Sequence, residues 1–89
     1  MITEYKVPSK SRYDVVVGWD PPLRTFFVKV YDLSIDDADE QFIVWEGSDP
    51  IHPIQDIERI KRIIYPYTNP PYLPPDIEKN LLLVSQAIA

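Results

Sequence analysis

The sequence predicts an α+β fold: a small antiparallel three-stranded β-meander followed by two α-helices packed on one of its faces (βββαα). Residues 13–31 hold two strand patterns joined by a short proline turn, and a third apolar run follows at residues 42–46. Beyond residue 53, apolar side chains recur at helical spacing. A sheet with one apolar face needs a covering layer, and two helices after three strands can supply it.

The N-terminal segment, residues 1–12, shows no periodicity and is predicted to be a flexible arm. Its apolar residues Ile2, Tyr5 and Val7 leave a second possibility, a short strand added to the sheet edge. Residues 13–89 are predicted to form a single α+β domain, because 45% of the chain is hydrophobic and 26% is charged, as is usual for globular proteins.

The first two strands are predicted to pair through the turn Asp20–Leu23, with Trp19 opposite Phe26 and Gly18 opposite Phe27. One face of the hairpin then carries an apolar set: Tyr13, Val15, Val17, Trp19, Phe26, Val28 and Val30. Slipping the register by one residue would mix apolar with polar side chains, so the pattern favours this pairing. Gly18 leaves room for the ring of Phe27 to lie across the backbone.

The third strand, Phe42–Glu46, is apolar on both faces, as expected for a strand that is covered twice or faces a partner. A first helix is predicted from about Pro53 to Ile64 or Tyr65, because Pro66 ends it.

A connector of residues 66–75 contains five prolines and predicts a stiff, polyproline-like segment. A second helix is predicted to begin near Pro75, with an apolar stripe at Ile77, Leu81, Val84 and Ile88 that Leu82, Leu83 and Ala87 widen. The predicted core joins strands and helices: Trp19, Phe26, Val28, Ile57, Ile60, Ile64, Leu81 and Val84.

The pattern G-W-D-x-P-L-x-T-F-F, here residues 18–27, resembles a motif of short, uncharacterised bacterial proteins. Their later Trp-x-Gly element is similar to Trp45-Glu46-Gly47, and their helix ending in Pro-Tyr is similar to Pro66-Tyr67. The resemblance covers the middle of the chain and implies one compact domain. No activity is known for that group, so the resemblance carries no site residue across.

The chain has a net charge of −5, which disfavours direct binding to nucleic acid. Five of its acids crowd the segment after the hairpin: Asp32, Asp36, Asp37, Asp39 and Glu40. Their spacing lacks the alternating acids and central glycine of an EF-hand loop, so a solvated loop is predicted rather than a cation site. Without cysteine there are no disulfides or thiolate metal sites, and without a long apolar run we expect a soluble, cytoplasmic protein.

Catalytic residues are not expected, although the sequence leaves an enzyme open. The single histidine, His52, follows Ser48 and Asp49 within one proline-bound turn, too close along the chain to indicate a triad. Asp20 and Glu46 each follow a tryptophan, but a turn and a strand end explain them better than paired acid–base groups. We predict no catalytic group, no metal site and no cofactor.

Aromatic side chains outside the predicted core mark a possible interaction surface: Phe27, Tyr31, Phe42, Trp45, Tyr67 and Tyr72. Two helices cover only one face of the sheet, and the second face is not polar. The sequence therefore predicts a small acidic protein that acts by protein–protein interaction or self-association, as a homodimer through the sheet face or edge. The alternatives are an acidic inhibitor or nucleic-acid mimic with a basic partner, and a small enzyme or divalent-metal binder.

Overall fold

The computed structural model describes residues 3–49 and 51–86, and within them the chain is an α+β fold with two helices on one face of an antiparallel sheet. The sheet has four strands in the order β1-β2-β3-β4. The elements are β1 (Thr3–Val7), β2 (Tyr13–Asp20), β3 (Thr25–Asp32), β4 (Phe42–Glu46), α1 (Ile57–Ile64), a 3₁₀ turn (Tyr65–Tyr67) and α2 (Pro75–Gln86).

The predicted strand count of three is wrong, because β1 pairs antiparallel with β2 along the edge. Tyr5 lies opposite Val17, and Val7 is buried in the core. The edge strand was the second possibility for this segment; five alternating residues at a chain end are too short a pattern to decide it. Ile2 lies outside the described residues, and flexibility of residues 1–12 stays a prediction.

The hairpin of β2 and β3 has the predicted register, with Trp19 opposite Phe26 and Gly18 opposite Phe27. The Asp20 carboxylate accepts a hydrogen bond from the Leu23 N–H at 3.3 Å, which closes the turn. A Cβ at Gly18 would collide with the Phe27 ring, so this position needs glycine. The sorting of apolar residues to one face is confirmed.

The helices cover this apolar face, and the predicted core residues meet there. Strand and helix residues are fully buried together: Val15, Val17, Phe26, Val28, Val30, Ile57, Ile60, Ile64 and Leu81. Trp19 and Val84 are only half-buried. The Trp19 ring packs edge-on against Phe26, with ring centroids 4.9 Å apart.

Helix α1 begins later than the sequence predicted, because the segment before it pairs with β3. The Phe26 N–H donates to the Ile54 carbonyl at 2.9 Å, and the Ile54 N–H donates to Thr25 Oγ1 at 2.8 Å. The helix starts only after Asp56, whose carboxylate accepts the Glu58 N–H at 2.9 Å as an N-cap.

The connector of residues 66–75 is not the extended polyproline segment that its composition suggested. It begins in the 3₁₀ turn and then closes a tight turn, in which the Tyr72 N–H donates to the Asn69 carbonyl at 2.8 Å. Thr68 and Leu73 are buried, so the segment packs onto the domain. Burial of the Thr68 and Leu73 side chains therefore outweighs the preference of the connector's prolines for an extended backbone.

Helix α2 begins at Pro75, as predicted. Leu82 and Leu83 are exposed rather than part of the buried stripe, while Ala87 and Ile88 lie outside the described residues. Lys61 Nζ on α1 lies 2.7 Å from Glu78 Oε1 on α2, so an ion pair links the two helices.

Candidate interaction surface

The face of the sheet turned away from the helices, here called the open face, combines charged and aromatic residues. Register and side-chain alternation place on it Glu4, Lys6, Asp14, Val16, Gly18, Phe27, Lys29, Tyr31, Ile43 and Trp45, and a bulge adds Phe42. This face contains four of the six residues predicted to form an interaction surface.

The half of the open face nearest β1 is closed by ion pairs. Lys6 Nζ lies 3.1 Å from Asp14 Oδ1, and Lys29 Nζ lies 3.6 Å from Glu4 Oε1. The Lys29 ammonium is also 5.3 Å from the Phe27 ring centroid, close enough for a cation–π contact. Phe27 is only 2% exposed, so it forms the floor of this face rather than a contact surface.

The other half of the open face carries an aromatic cluster of Tyr31, Phe42 and Trp45. Ring centroids are 4.9 Å apart between Tyr31 and Phe42 and 5.3 Å apart between Phe42 and Trp45. Trp45 is 61% exposed, and Ile43 beside it is 40% exposed. This is the exposed apolar part of the sheet.

A β-bulge assembles the aromatic cluster. Val30 lies opposite Val44 and Tyr31 lies opposite Phe42, so Ile43 is an extra residue in β4. In a regular strand, Phe42 and Trp45 would point to opposite faces, because they are three positions apart. A regular strand would place either Phe42 with Val44 or Ile43 with Trp45 on this face, whereas the bulge places Phe42 with Trp45.

Strand β4 also forms one edge of the sheet, and within residues 3–49 and 51–86 no strand pairs with its outer side. Its single charged residue, Glu46, lies across from Val28, with its carboxylate 3.5 Å from Arg59 of α1. The charge therefore lies on the helix side and leaves the open face of β4 apolar.

Tyr67 and Tyr72, the other two predicted surface residues, lie away from the open face. Tyr67 packs edge-on against Tyr13 with centroids 4.9 Å apart, beside the core. The Tyr72 and Tyr65 rings pack with their centroids 4.8 Å apart. Burial is the larger cause that raises the pKa of Tyr72, and a hydrogen bond with Tyr65 is the second. The structure therefore divides the predicted set between two places.

The acidic segment that begins at Asp32, the last residue of β3, is not uniform, because Asp32 is buried. The Asp32 carboxylate accepts hydrogen bonds from Arg12 Nη2 at 2.8 Å and from Ser34 Oγ at 2.7 Å. Hydrogen bonds from Arg12, and then from Ser34, hold the pKa of Asp32 well below its usual range. Asp32 therefore fastens the start of the loop to the chain before β2.

The remaining acids of this loop are exposed. The Asp37 side chain accepts the Asp39 N–H at 2.9 Å and so closes a local turn. Across the part of the chain that the structure describes, no three His, Asp or Glu side chains lie close enough together to hold a metal ion.

We expect the triple substitution of Asp36, Asp37 and Asp39 by asparagine to leave the melting temperature nearly unchanged, or to raise it slightly. Asparagine keeps the oxygen that accepts the Asp39 N–H, and removing three exposed charges eases repulsion. Thermal unfolding followed by circular dichroism measures this, with Asp32→Asn as the destabilised comparison. A large loss of stability in the triple variant would contradict a purely solvated loop.

We expect the stability difference between the wild type and Asp32→Asn to depend on pH. The folded pKa of Asp32 lies below the unfolded value of about 3.9, so its ionised form stabilises the fold above about pH 4. This contribution is lost as the pH falls through the folded pKa, and the two melting temperatures should converge. Melting curves from pH 7 downward test this, and Asp36→Asn, an exposed neighbour, should differ little from wild type throughout.

Among the described residues, Ser48 does not join Asp49 and His52 in a hydrogen-bonded triad. His52 Nδ1 lies 3.4 Å from Asp49 Oδ2 on an exposed turn, while Ser48 Oγ accepts a hydrogen bond from Trp45 Nε1 at 2.7 Å. Ser48 thus holds the indole of Trp45, beside a shallow depression of about 230 Å³ that Gly47 and Asp49 also line. The Asp49 pKa is lowered by the Ile51 N–H first and by His52 second.

No family model, no curated protein and no solved structure matches this chain. The resemblance of residues 18–27 to a motif of short bacterial proteins stays a prediction. None of the described helices is long and apolar enough to cross a membrane.

Proposed function

We propose that this protein is a binding protein that acts through protein–protein contact, and that its partner is a second copy of itself. The observation that carries the proposal is the exposed, apolar edge strand β4, which presents Ile43 and Trp45 beside the aromatic cluster. Exposed apolar edge strands are templates for pairing with another chain, and natural proteins usually guard or cover them.

The opposite edge of the sheet supports this choice. Strand β1 presents Glu4 and Lys6 on the open face, and charges of this kind oppose edge pairing. Strand β4 has no charged residue on this face, because Glu46 lies on the helix side, 3.5 Å from Arg59. Of the two sheet edges, β4 is therefore the one better suited to pair with a strand of another chain.

A second copy is the simplest partner for β4. An antiparallel pair of identical strands is related by a two-fold axis, so one surface can serve both subunits of a closed dimer. Such a dimer would cover the edge and the exposed side chains together. We place this dimer in the cytoplasm, where a chain without cysteine needs no oxidising compartment.

Binding of a basic partner by the acidic loop has less support. Asp32 is already occupied by Arg12, and Asp37 stabilises its own turn. Contact through the aromatic cluster should be nearly independent of salt, whereas contact through exposed carboxylates should weaken steeply as salt rises. Measuring association at several salt concentrations separates the two.

The test is the oligomeric state of matched variants. We expect the wild type to be a dimer at micromolar concentration by light scattering, and the double variant Ile43→Thr/Trp45→Lys to be a monomer. The control is Leu82→Thr/Leu83→Lys on α2, because these side chains are 39% and 56% exposed, close to the values for Ile43 and Trp45. The control should remain a dimer.

The outcomes separate clearly, because all four positions are exposed and neither double variant removes a buried side chain. A monomeric wild type contradicts self-association. A dimer that only the α2 variant disrupts moves the interface to the helices and also contradicts the proposal. Circular dichroism confirms that each variant is folded.

A further inference from the structure

We draw no further inference here: the strongest candidate, the apolar edge strand β4 with its exposed Ile43 and Trp45 side chains, belongs to the surface already described, and nothing in the described residues shows what covers it.

Discussion

Phe26→Ala should lower the free energy of unfolding by about 3–5 kcal/mol. The Phe26 side chain is buried between the sheet and the helices, with Trp19 packed edge-on against it and its backbone bonded to Ile54. A domain of this length is stable by only about 4–13 kcal/mol, so the loss is a large share of the total. Urea unfolding monitored by circular dichroism measures it.

Phe42→Ala is the matched control, because it removes the same ring from the half-exposed aromatic cluster. Its loss should be clearly smaller, since less of that ring is withdrawn from water. Equal losses for the two variants, or a loss below about 1 kcal/mol for Phe26→Ala, would contradict the core described above.

Gly47→Ala should be the second severe substitution. Gly47 has a φ of +92°, and a Cβ there would collide with the Phe26 carbonyl oxygen and lie 2.9 Å from Phe27 Cα. We expect a loss of about 1–3 kcal/mol from backbone strain, with about as much again from overpacking. Because the colliding atoms belong to the backbone of β3, they cannot move aside as a flexible side chain would.

Gly18→Ala provides the comparison for this result. A Cβ at Gly18 also collides, with the Thr3 carbonyl oxygen and the Phe27 ring, but Gly18 does not have a positive φ. Its loss should therefore contain the packing cost alone and should be the smaller one. Equal losses in urea unfolding would show that backbone strain at Gly47 contributes nothing.

The hairpin was predictable because its information is local. Apolar residues alternate on both sides of one turn, and a single register places them all on one face. Asp20 and its two following prolines mark the turn, so no distant residue is needed to fix the pairing. The helix periods were predictable for the same reason, although not the start of α1, which depends on the pairing of Ile54 with Phe26.

The candidate surface was only partly predictable. The aromatic residues of the cluster could be identified from composition, but their meeting depends on the bulge at Ile43, and no residue of the sequence signals it. Phe27 was expected at the surface and is instead buried. Its ring fills the space that Gly18 leaves free, and the Lys29 ammonium lies over the ring. Tyr67 and Tyr72 were drawn away by packing of the connector onto the domain.

The sequence by itself determined the α+β class, the hairpin register and the apolar face that the helices cover, because these follow from periodicity within continuous segments. Only the tertiary structure decided that β1 joins the sheet, that Asp32 is buried against Arg12, and that β4 is bulged with Trp45 at a free edge. These features depend on which distant segments compete for the same backbone groups and the same space. Local sequence patterns do not predict the outcome of that competition, because the outcome depends on the free energy of the whole packed chain.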